Sequence, residues 1–106
     1  MLSQKEYLFY ILEQLSYLED ITYRPMMGEY LIYYRDKVIG GLYDNRFLIK
    51  DVNCLKELMT EITYEIPYSG AKKMILIKDI ENKQYLKQII ETMYDELPIP
   101  QSRKKK

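Results

Sequence analysis

Two carboxylate pairs, Glu91 with Asp95 and Glu57 with Glu61, stand four residues apart on stretches that read as helix, a spacing that puts both groups on one face. Such a pair works as general acid and base only where its surroundings push the two pKa values apart. Both fall on polar faces and read as solvated helix surface. Cys54 is the single thiol, placed near a helix start where a lowered pKa would make it reactive, but a packed thiol is the commoner outcome and the preferred reading. With no histidine, Ser-His-Asp and Cys-His relays and His-containing zinc or iron sites cannot be built, and one cysteine excludes Cys-rich zinc sites. Gly28, Gly40, Gly41 and Gly70 fit neither phosphate-binding frame, G-x-x-x-x-G-K or G-x-G-x-x-G. The residues predict no catalysis, no metal and no cofactor.

Three helices and a group of strands must position whatever remains. "SQKE" opens with Ser3 as N-cap and Glu6 three residues on, a capping box, and Tyr7, Leu8, Ile11, Leu12, Leu15 and Leu18 recur at helical spacing, predicting a helix over 3–18. "EYLIYY" (29–34), "VIGGLY" (38–43) and "RFLIK" (46–50) then read as three meandering strands, joined at Asp36-Lys37 and Asp44-Asn45 by two-residue turns. Gly40-Gly41 marks a bulge or a place where another side chain lies over the strand. Asp51 or Asn53 caps a short helix through Leu55, Leu58 and Met59; "ITYEIPY" is weakly extended, with Pro67 pointing to an edge or a strand end, and "KKMILIK" (72–78) is a stronger strand. A last helix runs from about Ile80 to Glu96, capped by Asp79 or Asn82 and stopped by Pro98 and Pro100. The expected fold is α+β, a two-layer αβββαββα arrangement with an antiparallel sheet and helices on one face.

Composition sets outer bounds. A chain of 106 residues with 47% hydrophobic content is one domain, 1–100, with a disordered basic tail at 101–106. No apolar run approaches the length of a spanning helix and no leader pattern opens the chain, so the expectation is a cytoplasmic protein that does not cross a membrane. The net charge is zero, yet Arg103, Lys104, Lys105 and Lys106 hold four of the 16 basic residues, which leaves residues 1–102 with 12 against 16 acids. Nucleic acid is therefore expected to bind at most weakly, through that tail. Tyrosine supplies 12 aromatic residues beside two phenylalanines, which suits half-exposed sheets and contact surfaces.

"RPMMGEY" (24–30) is the stretch that composition does not explain, since a turn favours polar residues and a strand favours β-branched ones. If strand alternation runs through it, Met26 and Met27 face opposite sides of the sheet, and the outward one joins tyrosines in an adaptable patch; otherwise both are packed. The surrounding segment, "ITYRPMMGEYLIYYRDKVIGGLYDNRFLIK" (21–50), resembles the N-terminal domain of the TfoX/Sxy family of competence regulators. The resemblance rests on Arg24, the Met26-Met27-Gly28 triplet where the family has a Met-Phe-Gly-like one, the strands Tyr30 to Tyr34 and Val38 to Tyr43, and Phe47-Leu48-Ile49-Lys50. With "PYSGAKKMILI" and the ending "MYDELP" it covers nearly the whole chain, and it implies the same αβββαββα order. It also implies transcriptional control of DNA uptake, in concert with a cyclic-AMP-responsive activator. The family also has a second, C-terminal domain, and the resemblance covers the N-terminal one alone.

The expected function is thus a non-enzymatic interaction module that contacts a protein partner, transcription machinery or a second copy as a homodimer. Its contact residues are expected to be Arg24, Met26, Met27 and Gly28 with Glu29, Tyr33 and Tyr43. The alternative is a small-ligand domain or enzyme using carboxylates and tyrosines such as Glu29, Tyr33 or Tyr68; a concave pocket where these converge favours it, and a flat apolar patch favours the module.

Overall fold

The computed structural model describes residues 3–98. Helix α1 spans Gln4–Gln14. Ser3 caps it as the sequence predicts: its Oγ accepts from the Glu6 backbone N–H at 3.1 Å, and Glu6 Oε1 accepts from the Ser3 N–H at 2.9 Å. The helix ends before residue 18 because the next turns tighten, with Ser16 N–H bonding Glu13 O at 3.2 Å and Leu18 N–H bonding Leu15 O at 3.0 Å. Leu15 and Leu18 stay buried, so helical spacing of apolar residues outlasts the helix itself.

Four strands follow where three were expected: β1 (Ile21–Met26), β2 (Glu29–Tyr34), β3 (Lys37–Tyr43) and β4 (Arg46–Ile49). Each hairpin is closed by two residues of positive φ: Met27 at 51° and Gly28 at 85°, Arg35 at 50° and Asp36 at 71°, Asp44 at 54° and Asn45 at 58°. That is the type I′ pattern, whose twist matches that of the strands it joins. The middle turn is Arg35-Asp36 rather than Asp36-Lys37, since Lys37 already pairs with Tyr34.

Strand β1 hides from pattern reading because it is an outer strand, exposed along its middle and interrupted by Pro25. Around a two-residue turn the flanking pair Met26 and Glu29 is the hydrogen-bonded one, and alternation then turns the backbone groups of Ile21, Tyr23 and Pro25 toward the open edge. Proline is tolerated there because no ladder bond needs its missing N–H.

The rest of the chain is α2 (Leu55–Leu58), β5 (Thr63–Glu65), β6 (Met74–Leu76), α3 (Lys83–Met93) and a closing 3₁₀ turn, Tyr94–Glu96. The strands form one antiparallel six-stranded sheet in the order β1-β2-β3-β4-β6-β5. Strand β5 is thus the second edge, and Pro67 lies just past its end, as expected. Asn82 caps α3, its Oδ1 accepting the Tyr85 N–H at 3.1 Å, so the helix starts three residues later than predicted. Neither Asp51 nor Asn53 caps α2, whose N-cap position is Cys54.

Helices α1 and α3 cover one side of the sheet. Leu8, Ile11, Leu86, Ile89 and Met93 meet Ile32, Ile39, Phe47, Ile49 and Ile75 in a single buried cluster, each such side chain contributing roughly 1.5–3 kcal/mol by burial. The register between β2 and β3 slips between Ile32 and Tyr33, leaving Ile39 as the extra residue of a bulge beside Gly40. Pro100 and the tail cations Arg103 to Lys106 lie outside the described residues.

Candidate functional site

Among the described residues, no helix covers the sheet face turned away from α1 and α3. Ile32 and Tyr34 point into the core, so alternation puts Leu31 and Tyr33 on this outer face. Cross-strand pairing adds Arg24 opposite Leu31, Val38 opposite Tyr33 and Leu48 opposite Gly41. Part of the face is nevertheless covered. Tyr43 and Leu48 are buried without belonging to the helix-side cluster, and the Tyr68 ring stands 6.2 Å from that of Tyr43.

The segment after β5 covers Tyr43, and Arg46 fastens it down. Its guanidinium pairs with the Glu65 carboxylate and donates to Ile66 O at 3.5 Å and Pro67 O at 3.3 Å, while its Nε donates to Tyr43 O at 3.1 Å. One planar group thus ties the β3 end to the loop from two directions, a use of the fork that lysine cannot reproduce.

Between this loop and the strands lies an open cleft of about 800 Å³. Met26, Leu31, Val38, Gly40, Tyr43 and Met74 line it from the strands, and Pro67 and Tyr68 from the covering segment. Lys50, Lys72, Lys73 and Asp51 also line it, and the Lys73 ammonium lies over the Tyr64 ring, 4.0 Å from its centre. Burial pushes the Lys50 ammonium below its usual pKa. The Tyr43 hydroxyl is pushed up, first by burial and then by Tyr68 and Glu29 nearby. Tyr43 also lies back over Gly41, where a Cβ would come within 3.0 Å of the ring, so the glycine pair marks both a bulge and an overlying side chain.

The residues singled out from sequence separate into groups. Met26 and Tyr43 line the cleft; Arg24 and Tyr33 lie on the same face beside Leu31. Met27 is not in a strand at all, but at a hairpin tip, 96% exposed. Alternation therefore does not govern the methionine pair, and packing of both is excluded. Gly28 supplies the turn's second left-handed residue. Glu29 is a structural clip, its Oε1 accepting from Gln4 Nε2 at 2.6 Å and from the Asp44 N–H at 3.2 Å, so that α1 and two hairpin ends are joined. Of Glu29, Tyr33 and Tyr68, only Tyr68 lines the cleft.

Arg46, Lys50, Lys72, Lys73 and Met74 were not singled out from the sequence. Alternation from Leu48 carries Arg46 and Lys50 to the outer face, a signal that was available; the path of the loop was not.

The other candidates resolve simply. Glu91 pairs with Lys87 at 3.2 Å, Asp95 lies past the end of α3 in the 3₁₀ turn and Glu61 past the end of α2, and all four carboxylates are exposed, in keeping with the solvated-surface reading. The Cys54 thiol donates to Thr92 O at 3.5 Å, and burial, then the Glu96 carboxylate, push its pKa up rather than down. Among the described residues no three His, Cys, Asp or Glu side chains group to hold a metal ion, and no helix is long and apolar enough to cross a membrane.

The chain is 29% identical over 107 residues to a Spirochaeta aurantia protein, an "Uncharacterized 12.7 kDa protein in trpE 5'region", a match that spans 100% of this chain and 93% of that one. No family model and no solved structure matches.

Met27 holds a left-handed conformation at a position where asparagine is favoured in a type I′ turn. Met27→Asn is expected to leave the fold intact and raise stability by about 0.5 kcal/mol, through relief of left-handed strain. Urea denaturation checks this; a loss of more than about 1 kcal/mol would mean the side chain packs.

Proposed function

We propose that this chain is a non-catalytic cytoplasmic interaction module whose working surface is the outer sheet face, and that it acts by docking a protein partner in the control of transcription. The observation that carries the reading is that face: half-buried Leu31, Tyr33 and Val38 with no helix over them, on a protein whose other face is fully packed. Its charge supports an acidic partner, because Arg24, Lys50 and Lys72 lie there although residues 1–102 carry more acids than bases. Met27 agrees with it. A fully exposed methionine at a turn that prefers asparagine is a local inconsistency of the kind expected at contact surfaces. The TfoX/Sxy resemblance supplies the regulatory role.

The test pairs Arg24→Glu with Tyr33→Glu. Wild-type protein used as bait is expected to retain one defined acidic protein, and the double variant to lose it at an unchanged melting temperature. Retention by the variant sinks the reading, and a doubled hydrodynamic mass of the wild type alone assigns the face to a second copy instead.

One observation favours a second reading, a small-ligand module: the face is concave beneath Tyr68 rather than flat throughout, and a cleft of about 800 Å³ falls within the range of ligand sites.

A further inference from the structure

The small-ligand reading acquires a chemical class from the lining of the cleft. Resting on that reading rather than on partner docking, we propose that the cleft holds a small organic acid, with its apolar body over Leu31, Val38 and Tyr43 and its anionic group at the Lys50 ammonium.

The floor and the cation make different demands. Leu31, Val38 and Tyr43 offer an apolar surface that gains from covering. Lys50 is half-buried, and among the described residues its side chain makes no hydrogen bond or ion pair. A half-desolvated ammonium without an acceptor is the costly partner in such an arrangement, and an anion beside it restores the solvation that burial removed. The lowered pKa of Lys50 has that same cause. Asp51 is the one carboxylate on the lining; even with the Lys73 ammonium held over the Tyr64 ring, Lys50 and Lys72 outnumber it, and the field in the cleft favours a negative guest.

Charge and shape also remove competing occupants. Residues 99–106 of this chain carry Arg103, Lys104, Lys105 and Lys106, like in sign to the cleft and unsuited to fill it. A nucleic-acid strand needs a track of cations along its phosphates, whereas Lys50, Lys72 and Lys73 surround one short apolar hollow. A neutral apolar compound would leave Lys50 unanswered. A compact acid with an aromatic or branched aliphatic body satisfies both parts.

The full chain is titrated with two fluorescent probes of nearly the same shape, 8-anilinonaphthalene-1-sulfonate, an anion, and N-phenyl-1-naphthylamine, its neutral relative. The anion is expected to bind at one site about tenfold or more tighter than the neutral probe, to raise the melting temperature, and to shift the amide resonances of Lys50, Ala71 and Met74 in the wild-type protein. Lys50→Gln is expected to weaken the anion about tenfold, which is about 1.4 kcal/mol, and to leave the neutral probe unaffected. Lys87→Gln, on α3 at the opposite side of the sheet, is expected to change neither. Equal binding of both probes, or anion binding indifferent to Lys50→Gln, overturns the acid while leaving an apolar ligand site in place. Binding of neither probe, or shifts scattered away from the cleft, overturns the acid and the ligand reading together. The wild-type resonance shifts decide the matter even if Lys50→Gln folds poorly.

Discussion

Gly40→Ala is expected to cost about 4 kcal/mol or more, a large share of the roughly 5–15 kcal/mol that stabilise a domain of this size. A Cβ at this position would collide with the Leu48 carbonyl oxygen and stand 2.6 Å from Ile49 Cα and 3.0 Å from Leu48 C. All three atoms are backbone of the neighbouring strand, and Gly40 is paired with Ile49, so no side chain can swing aside to make room. The strands must separate instead. That opens the β3–β4 ladder at the centre of the sheet, beneath Phe47 and Ile49 of the helix-side core. Gly70→Ala is the control: φ is +88° but nothing lies within 4 Å, so only left-handed strain of about 1–2 kcal/mol is expected. Chemical denaturation of both variants measures the contrast. If Gly40→Ala loses no more than Gly70→Ala, β3 and β4 do not approach each other this closely.

Arg46→Met is expected to have the second largest effect, about 2 kcal/mol of stability together with loss of the cleft. The substitution keeps the aliphatic stem and removes a group that serves Glu65, Ile66, Pro67 and Tyr43 at once. Its exposure, 28% for Arg46 and 35% for Glu65, argues against a larger figure, because water re-solvates much of what is lost. The location of the damage is more diagnostic than its size. Hydrogen exchange should rise for the amides of residues 66–73 and stay unchanged in α1 and α3, and Tyr43 should become reactive to a tyrosine-modifying reagent. Arg46→Lys should recover only a small part, since an ammonium cannot reach acceptors on two sides. Uniform loss of protection across the domain would show that Arg46 supports the core rather than the loop.

How far the sequence could carry these conclusions depends on the element. The capping box at Ser3 and Glu6, the strand Glu29–Tyr34 and the turn Asp44-Asn45 are legible because local chemistry and tertiary packing agree there. Strand β1 is not, because an edge strand with exposed polar residues has no buried face to impress a pattern on it. Its turn was obscured by Met27, whose side chain gives none of the usual turn signals. The bulge and overlying ring at Gly40-Gly41 were readable as alternatives, and both occur. The cleft was the least accessible part. It is made by a loop whose path is fixed by one arginine, and spacing along the chain holds no record of a contact between residues 46 and 67.

Pro25 has a consequence for how copies of this chain meet one another. Strand β1, the longer of the sheet's two edge strands, is largely uncovered, the sort of border that recruits another strand and grows into fibrils. Of the three residues whose backbone turns outward there, one has no hydrogen to donate, so an incoming strand finds its row of donors broken next to the tip. Arg24 next to it adds a charge that an identical copy would have to accommodate. The protein can therefore leave one broad face open for binding while denying its neighbours the border beside it, and exposure for recognition does not become exposure to polymerisation.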